Sequence, residues 1–150
     1  MANWKDPAVK ILLATLAFLV TAAAAQGAEP KPPEGLSAAR NALADAVVKK
    51  DVKGFAALSR FPMTIDVYQM APTIAAKRFD DGDVNMMFGG GDEGVVGCLR
   101  GGEVVKNDPE ADETAKRFGK SWYVACDGNN YFFIEKDGRW LFTGYQNVNE

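Results

Sequence analysis

Residues able to do chemistry are few in this 150-residue chain, and the missing types are as informative as those present. There is no histidine, which excludes Ser-His-Asp and Cys-His nucleophilic centres, histidine metal sites and an imidazole pH switch. Cys98 and Cys126 are the two cysteines. Without a C-x-x-C motif or a histidine to activate a thiol, they read as one disulfide of an exported protein. Asp81, Asp83 and Asn85 match the first three ligand positions of a calcium loop, and Asp92 falls at the twelfth. Met86 stands where that loop turns sharply at glycine, and Asp92 where a bidentate glutamate belongs. The expectation is therefore an acidic turn with no metal. Asp66 and Tyr68 lie two apart in an alternating run, on one strand face, opposite the stripe Met63, Ile65 and Val67. That alternation predicts that Asp66 and Tyr68 face solvent. Met63, Met70, Met86 and Met87, with Phe88, are candidates for an adaptable apolar pocket. Core filling is the simpler account of them.

Composition bounds the rest. The chain is 47% hydrophobic, 25% charged and 11% aromatic, the profile of one globular domain rather than of a disordered or repetitive chain. The net charge is −3, and removal of residues 1–25, which carry Lys5, Asp6 and Lys10, makes it −4. That balance argues against nucleic acid and anionic membrane as partners. Met1–Lys10 is weakly basic, Ile11–Val20 is an unbroken apolar run, and Ala23-Ala24-Ala25 ends the segment in small residues. This is the pattern of a cleaved secretory signal peptide over 1–25, with the cut before Gln26 or Ala28. Neither a twin arginine nor a cysteine at the cut is present. A Sec-type route is expected rather than a lipoprotein, with a periplasmic or secreted product and no stable membrane insertion after cleavage. The alternative is an uncleaved anchor, for which 11–28 is at the short limit. Residues 26–35 then form a proline-rich lead, and the domain occupies 36–150.

Ser37 is a candidate cap for an amphipathic helix in which Ala39, Ala42, Leu43, Ala46 and Val47 recur at three and four, with Arg40 on the polar side. Asp51 caps a second helix over Val52–Ser59, which Phe61-Pro62 ends. Met63–Gln69 is a strand, and a short helix follows within Pro72–Phe79. Asp80–Glu93 reads as glycine-rich loop, Gly94–Arg100 and Glu103–Lys106 as strands, and Asp108–Glu113 as an exposed acidic loop. Ser121–Cys126, Tyr131–Lys136 and Arg139–Asn147 are aromatic strands. Asp137-Gly138 between the last two is a strong hairpin signal, pairing Lys136 with Arg139 and Phe133 with Phe142.

Two stretches resemble the NTF2-like (SnoaL-like, cystatin-like) superfamily: ADAVVKKDVKGFAALSRFPMTIDVY at 44–68, and Ser121–Tyr145 with KDGRWLF at 136–142. The resemblance implies an α+β fold, with N-terminal helices packed on a curved antiparallel sheet that forms a cone. Some enzymes of that superfamily use a carboxylate base with a tyrosine donor. Asp66 and Tyr68 are the candidates for such a role, moving a proton beside a small apolar carbonyl compound.

Pairing from the hairpin puts Trp122, Val124, Tyr131, Phe133, Trp140 and Phe142 on one sheet face. Tyr123, Phe132, Ile134, Leu141 and Tyr145 fall on the other. Both faces are apolar, so the second needs a cover: a second copy in a homodimer, a protein partner, a small apolar ligand, or segment 80–118 itself. Met63, Tyr68, Trp122, Tyr123, Phe132, Trp140, Leu141 and Tyr145 are the expected pocket or interface residues. The leading expectation is an exported, non-catalytic ligand-binding or protein-interaction module, with no cofactor. The alternatives are the proton-transfer enzyme and an exported inhibitor or partner-binding domain.

Overall fold

The computed structural model describes residues 29–67 and 72–149. The signal-peptide expectation, Tyr68 and Met70 lie outside the described residues. Gly35, at φ 84°, turns the proline-rich lead into helix α1, Leu36–Val48. Ser37 lies inside that helix rather than capping it. Helix α2, Val52–Ala57, starts at Asp51, whose carboxylate accepts from the Gly54 amide at 2.9 Å. It ends two residues earlier than expected. Strand β1 is Ser59–Asp66 and takes in Phe61-Pro62, whose peptide bond is cis. Within 72–79 there is a two-residue strand, β2, Thr73–Ile74, and a 3₁₀ turn at Ala76–Arg78.

The middle of the chain departs most from the sequence expectation. Residues Asp81–Phe88 form helix α3 instead of a loop. Asp80 accepts from the Gly82 and Asp83 amides while Asp83 accepts from the Asp80 amide, a reciprocal capping box. Gly89, at φ 57°, ends it in the left-handed region. Residues Glu93–Gly101 form helix α4 where a strand was expected. Asp92 caps it by accepting from Gly94 and Val95, and the buried Val96 and Leu99 lie one turn apart. The Val95-Val96 pair carries a β signal, but the cap and the three-residue spacing prevail. Strand β3 is Glu103–Lys106. A short helix α5, Glu113–Phe118, is capped by Asp112. Strands β4, Trp122–Cys126, β5, Asn129–Lys136, and β6, Arg139–Asn147, complete the chain.

The fold is α+β, with helices packed on one six-stranded sheet of order β2-β1-β6-β5-β4-β3. Four neighbouring pairs are antiparallel, but β1 and β6 run parallel, so the sheet is mixed rather than antiparallel throughout. The β5–β6 hairpin has the expected register, Lys136 to Arg139 through Phe133 to Phe142. Asp137 and Gly138 are at φ 52° and 72°, the conformation a two-residue primed turn requires. Nothing lies within 4 Å of a side chain added at Gly138, so Gly138→Val is penalised by backbone conformation alone. The expected loss is roughly 1–2 kcal/mol, read as a lower urea midpoint. An unchanged midpoint would show that the turn is built otherwise.

Beyond Phe133 the register slips. Phe132 faces Gly144, not Thr143. That bulge turns Tyr145 onto the helix-facing side, opposite Tyr131, and corrects its expected place on the second face. The helix side is filled by aromatic rings. Phe55 lies 5.3–5.5 Å from Phe79, Phe88 and Phe142, and Phe88 stacks on Tyr131 at 4.8 Å. Met63 and Met87 are buried here while Met86 is exposed, so these methionines line no common pocket. Trp122 and Trp140 pack at the core's edge, and Trp140 Nε1 donates to the Glu34 carbonyl at 3.1 Å, pinning the lead.

Tyr131 Oη donates to the Met87 carbonyl at 2.8 Å. Burial, and secondarily the neighbouring Tyr145, push the Tyr131 phenol far above its ordinary value. The unfolded phenol ionises from about pH 10 while the folded one holds its proton, so this contribution is whole below that pH and falls above it. Urea midpoints should therefore decline more steeply between about pH 9 and pH 11 for the parent than for Tyr131→Phe. Parallel declines would remove Tyr131 as the cause.

Arg40, expected on the polar side of α1, is 6% exposed. Its Nε donates to the Leu99 carbonyl at 2.7 Å, and its Nη2 to the Gly102 and Cys98 carbonyls at 3.0 and 3.5 Å. The guanidinium thus closes the C-terminus of α4, where carbonyls lack helical partners and the dipole favours a cation. Burial lowers its pKa. On the same helix Cys98 meets Cys126 of β4 as a disulfide, with Cα atoms 5.8 Å apart. The pairing is as expected, but Cys98 comes from a helix. Among the described residues no helix is long and apolar enough to cross a membrane.

Candidate functional site

The second sheet face carries two adjacent cross-strand rows. One runs Tyr123, Phe132, Gly144 and Thr64 across β4, β5, β6 and β1. The next runs Ala125, Asn130, Gln146 and Asp66. The first row is apolar, and helix α5 covers it. Phe118 stacks on Phe132 with ring centroids 3.7 Å apart, leaving Phe132 2% exposed. Part of the cover that the apolar second face needs thus comes from segment 80–118. Ile134 is also buried, while Tyr123 and Leu141 are half-buried.

Two further contacts seat α5. Buried Asn107 donates from Nδ2 to the Ala115 and Gly119 carbonyls, at 2.8 and 2.7 Å, tying off the helix end. Arg117 Nη1 donates to Asp66 Oδ1 at 3.3 Å. Asp66 is 4% exposed. This corrects the expectation that it faces solvent: the face is right, but α5 lies over it. Alternation shows which side a residue takes and cannot show a six-residue helix arriving from elsewhere. The carboxylate nominated as a base is one half of an ion pair that holds a helix to the sheet.

Beside α5 the polar row opens into a groove of about 380 Å³. Its floor is Tyr123, Asn130, Phe132 and Gln146, and its far wall is α5 with the preceding loop. Asn130 Nδ2 donates to Gln146 Oε1 at 3.0 Å. An amide has an acceptor oxygen and two N–H donors, so this pair keeps Asn130 Oδ1 and the Gln146 NH₂ for other bonds. Lys106, Asp108 and Asp112 stand exposed at the rim. Of the residues expected at a pocket, Tyr123 and Phe132 meet here. Met63, Trp122, Trp140 and Tyr145 belong to the opposite side. Asn130 and Gln146 escaped sequence reasoning. Only the register across the bulge brings them side by side.

A second cleft, about 530 Å³, lies among α1, α2 and α3, lined in part by Lys50, Asp51, Phe79, Asp80 and Gly91. Two of its acids are engaged locally, since Asp51 and Asp80 cap α2 and α3. The calcium-like residues follow the same logic. Asp83 closes the α3 capping box, Asp92 caps α4, and Asp81 lies in the first turn of α3. Among the described residues no three acids or cysteines group as a metal site. Comparison with family models, with curated proteins and with solved structures gives no significant match.

Proposed function

We propose that the chain is an exported, non-catalytic binding module of NTF2-like fold, working through the groove beside α5. The observation that carries this is the division of the two sheet faces. The helix side, where a cone would hold a substrate, is filled by Phe55, Phe88, Tyr131, Phe133 and Phe142. Asp66, the one buried carboxylate among the described residues, is paired with Arg117. What stays open is a groove floored by amides and aromatic rings, with its ionised residues, Lys106, Asp108 and Asp112, out at the exposed rim, an arrangement that favours recognition over acid–base chemistry. The NTF2-like assignment is supported by two N-terminal helices leading into β1 and by a β4–β6 meander closing on Asp-Gly. The Cys98–Cys126 bridge suits an oxidising compartment.

The test is mass spectrometry of the native protein from an envelope fraction. A start at Gln26 or Ala28, together with a co-purifying small molecule that survives unchanged, is the expected result. An intact Met1 in the membrane fraction would overturn the export reading. Chemical conversion of the co-purified compound on incubation would overturn the non-catalytic one.

A further inference from the structure

We infer that the groove beside α5 takes a neutral saccharide of one or two rings, an assignment that rests on the binding-module reading and names its ligand. Charge decides first. The groove floor holds no ionised group, and Lys106, Asp108 and Asp112 all stand at the exposed rim. The neighbouring buried carboxylate, Asp66, is balanced by Arg117. A charged ligand seated on this floor would give up hydration for counter-charges that stand in solvent, where an ion pair returns little.

Hydrogen bonding decides next. After their mutual bond, Asn130 and Gln146 present an acceptor and N–H donors side by side. Adjacent hydroxyls, each both donor and acceptor, match that alternation. Tyr123 lines the same space half-buried, tilted 41° to Phe132 with ring centroids 5.1 Å apart. It offers an aromatic surface for the C–H face of a sugar ring and a phenol for its rim. An apolar ligand would leave the amides unpaired.

An extended peptide is the main competitor, and topology keeps its usual mode off the groove floor. Strands β4, β5 and β6 are all interior to the sheet, with main-chain partners on both sides. Among the strands that line the groove only β3, which contributes Lys106, is an edge, so an added strand would pair there, beside the Asn130–Gln146 floor rather than on it. At about 380 Å³ the groove falls at the small end of the roughly 300–1,000 Å³ typical of ligand sites, which suits one or two rings.

The experiment is a ¹H–¹⁵N titration of the purified chain with N-acetylglucosamine, maltose, diacetylchitobiose and, separately, trialanine. Saturable shifts of the Asn130 and Gln146 side-chain amides with a saccharide, and none with trialanine, are expected. Gln146→Ala should weaken that binding about tenfold, and Gln146→Glu should not restore it, with amide spectra otherwise superimposable on the parent. No saturable shift with any of the three saccharides, or shifts confined to the α1–α3 cleft, overturns the saccharide assignment and leaves the module reading standing. New saccharide signals during the titration, marking turnover, sink the module reading instead.

Discussion

Gly144→Ala should cost about 3 kcal/mol or more, among the largest losses expected from alanine at a described glycine. Gly144 sits at the β6 bulge, where β1 runs beside it in parallel and α5 lies above. A Cβ there would overlap the Thr64 carbonyl oxygen and stand 2.8 Å from Cε1 of Phe118. The ring can swing, but the carbonyl belongs to the strand. Relief therefore requires β1 to part from β6, and interiors packed to crystal density yield little. A melting temperature lower by about 10 °C is expected. Phe118→Ala in the same chain should recover only the part of the loss due to the ring. An unchanged melting temperature would mean that β1 does not pass Gly144 in this register.

The second large effect belongs to the disulfide. Cys98 and Cys126 are 28 positions apart, and closing a loop of that length restricts the unfolded chain by roughly 3–4 kcal/mol. The Cys98→Ser, Cys126→Ser double variant should lose that much in urea unfolding and still fold. Arg40 continues to hold the C-terminus of α4 by three carbonyls, and Leu99 stays in the core. The parent, unfolded without reductant, should show no titratable thiol. Two thiols per chain would refute the bridge.

The legible parts of this fold are those fixed by short-range chemistry. Asp137-Gly138 dictated a turn, and the turn dictated four residue pairs of the β5–β6 hairpin. Asp51 announced α2 because a carboxylate before a helical run has one common use. The α+β class followed from helices early and aromatic strands late. The failures have a different physics. Helix α4 is nine residues with two adjacent valines, whose β signal competes with the Asp92 cap and the three-residue spacing of Val96 and Leu99. Helix α5 is too short for a periodic signal. The bulge before Gly144 adds one residue, and that one residue moves Tyr145 to the other face. The groove inherits all of this. Its residues come from Lys106–Ala115, β4, β5 and β6, and no local pattern links Asn130 to Gln146 before the register is known.

The parallel seam between β1 and β6 ties the beginning of the sheet to its end. Ser59 pairs with Phe142, and Asp66 with Gln146. Some 80 residues of chain separate the partners on each side of this seam, so it carries the highest contact order in the sheet. A chain emerging from its N-terminus has α1, α2 and β1 available long before β6 exists. Those early elements cannot complete their core until β6 has been made. Meanwhile the meander β4–β5–β6 can form from neighbours alone. Assembly is therefore expected to begin in the β4–β6 meander and to recruit β1 last, which keeps α1, α2 and β1 open until β6 has formed.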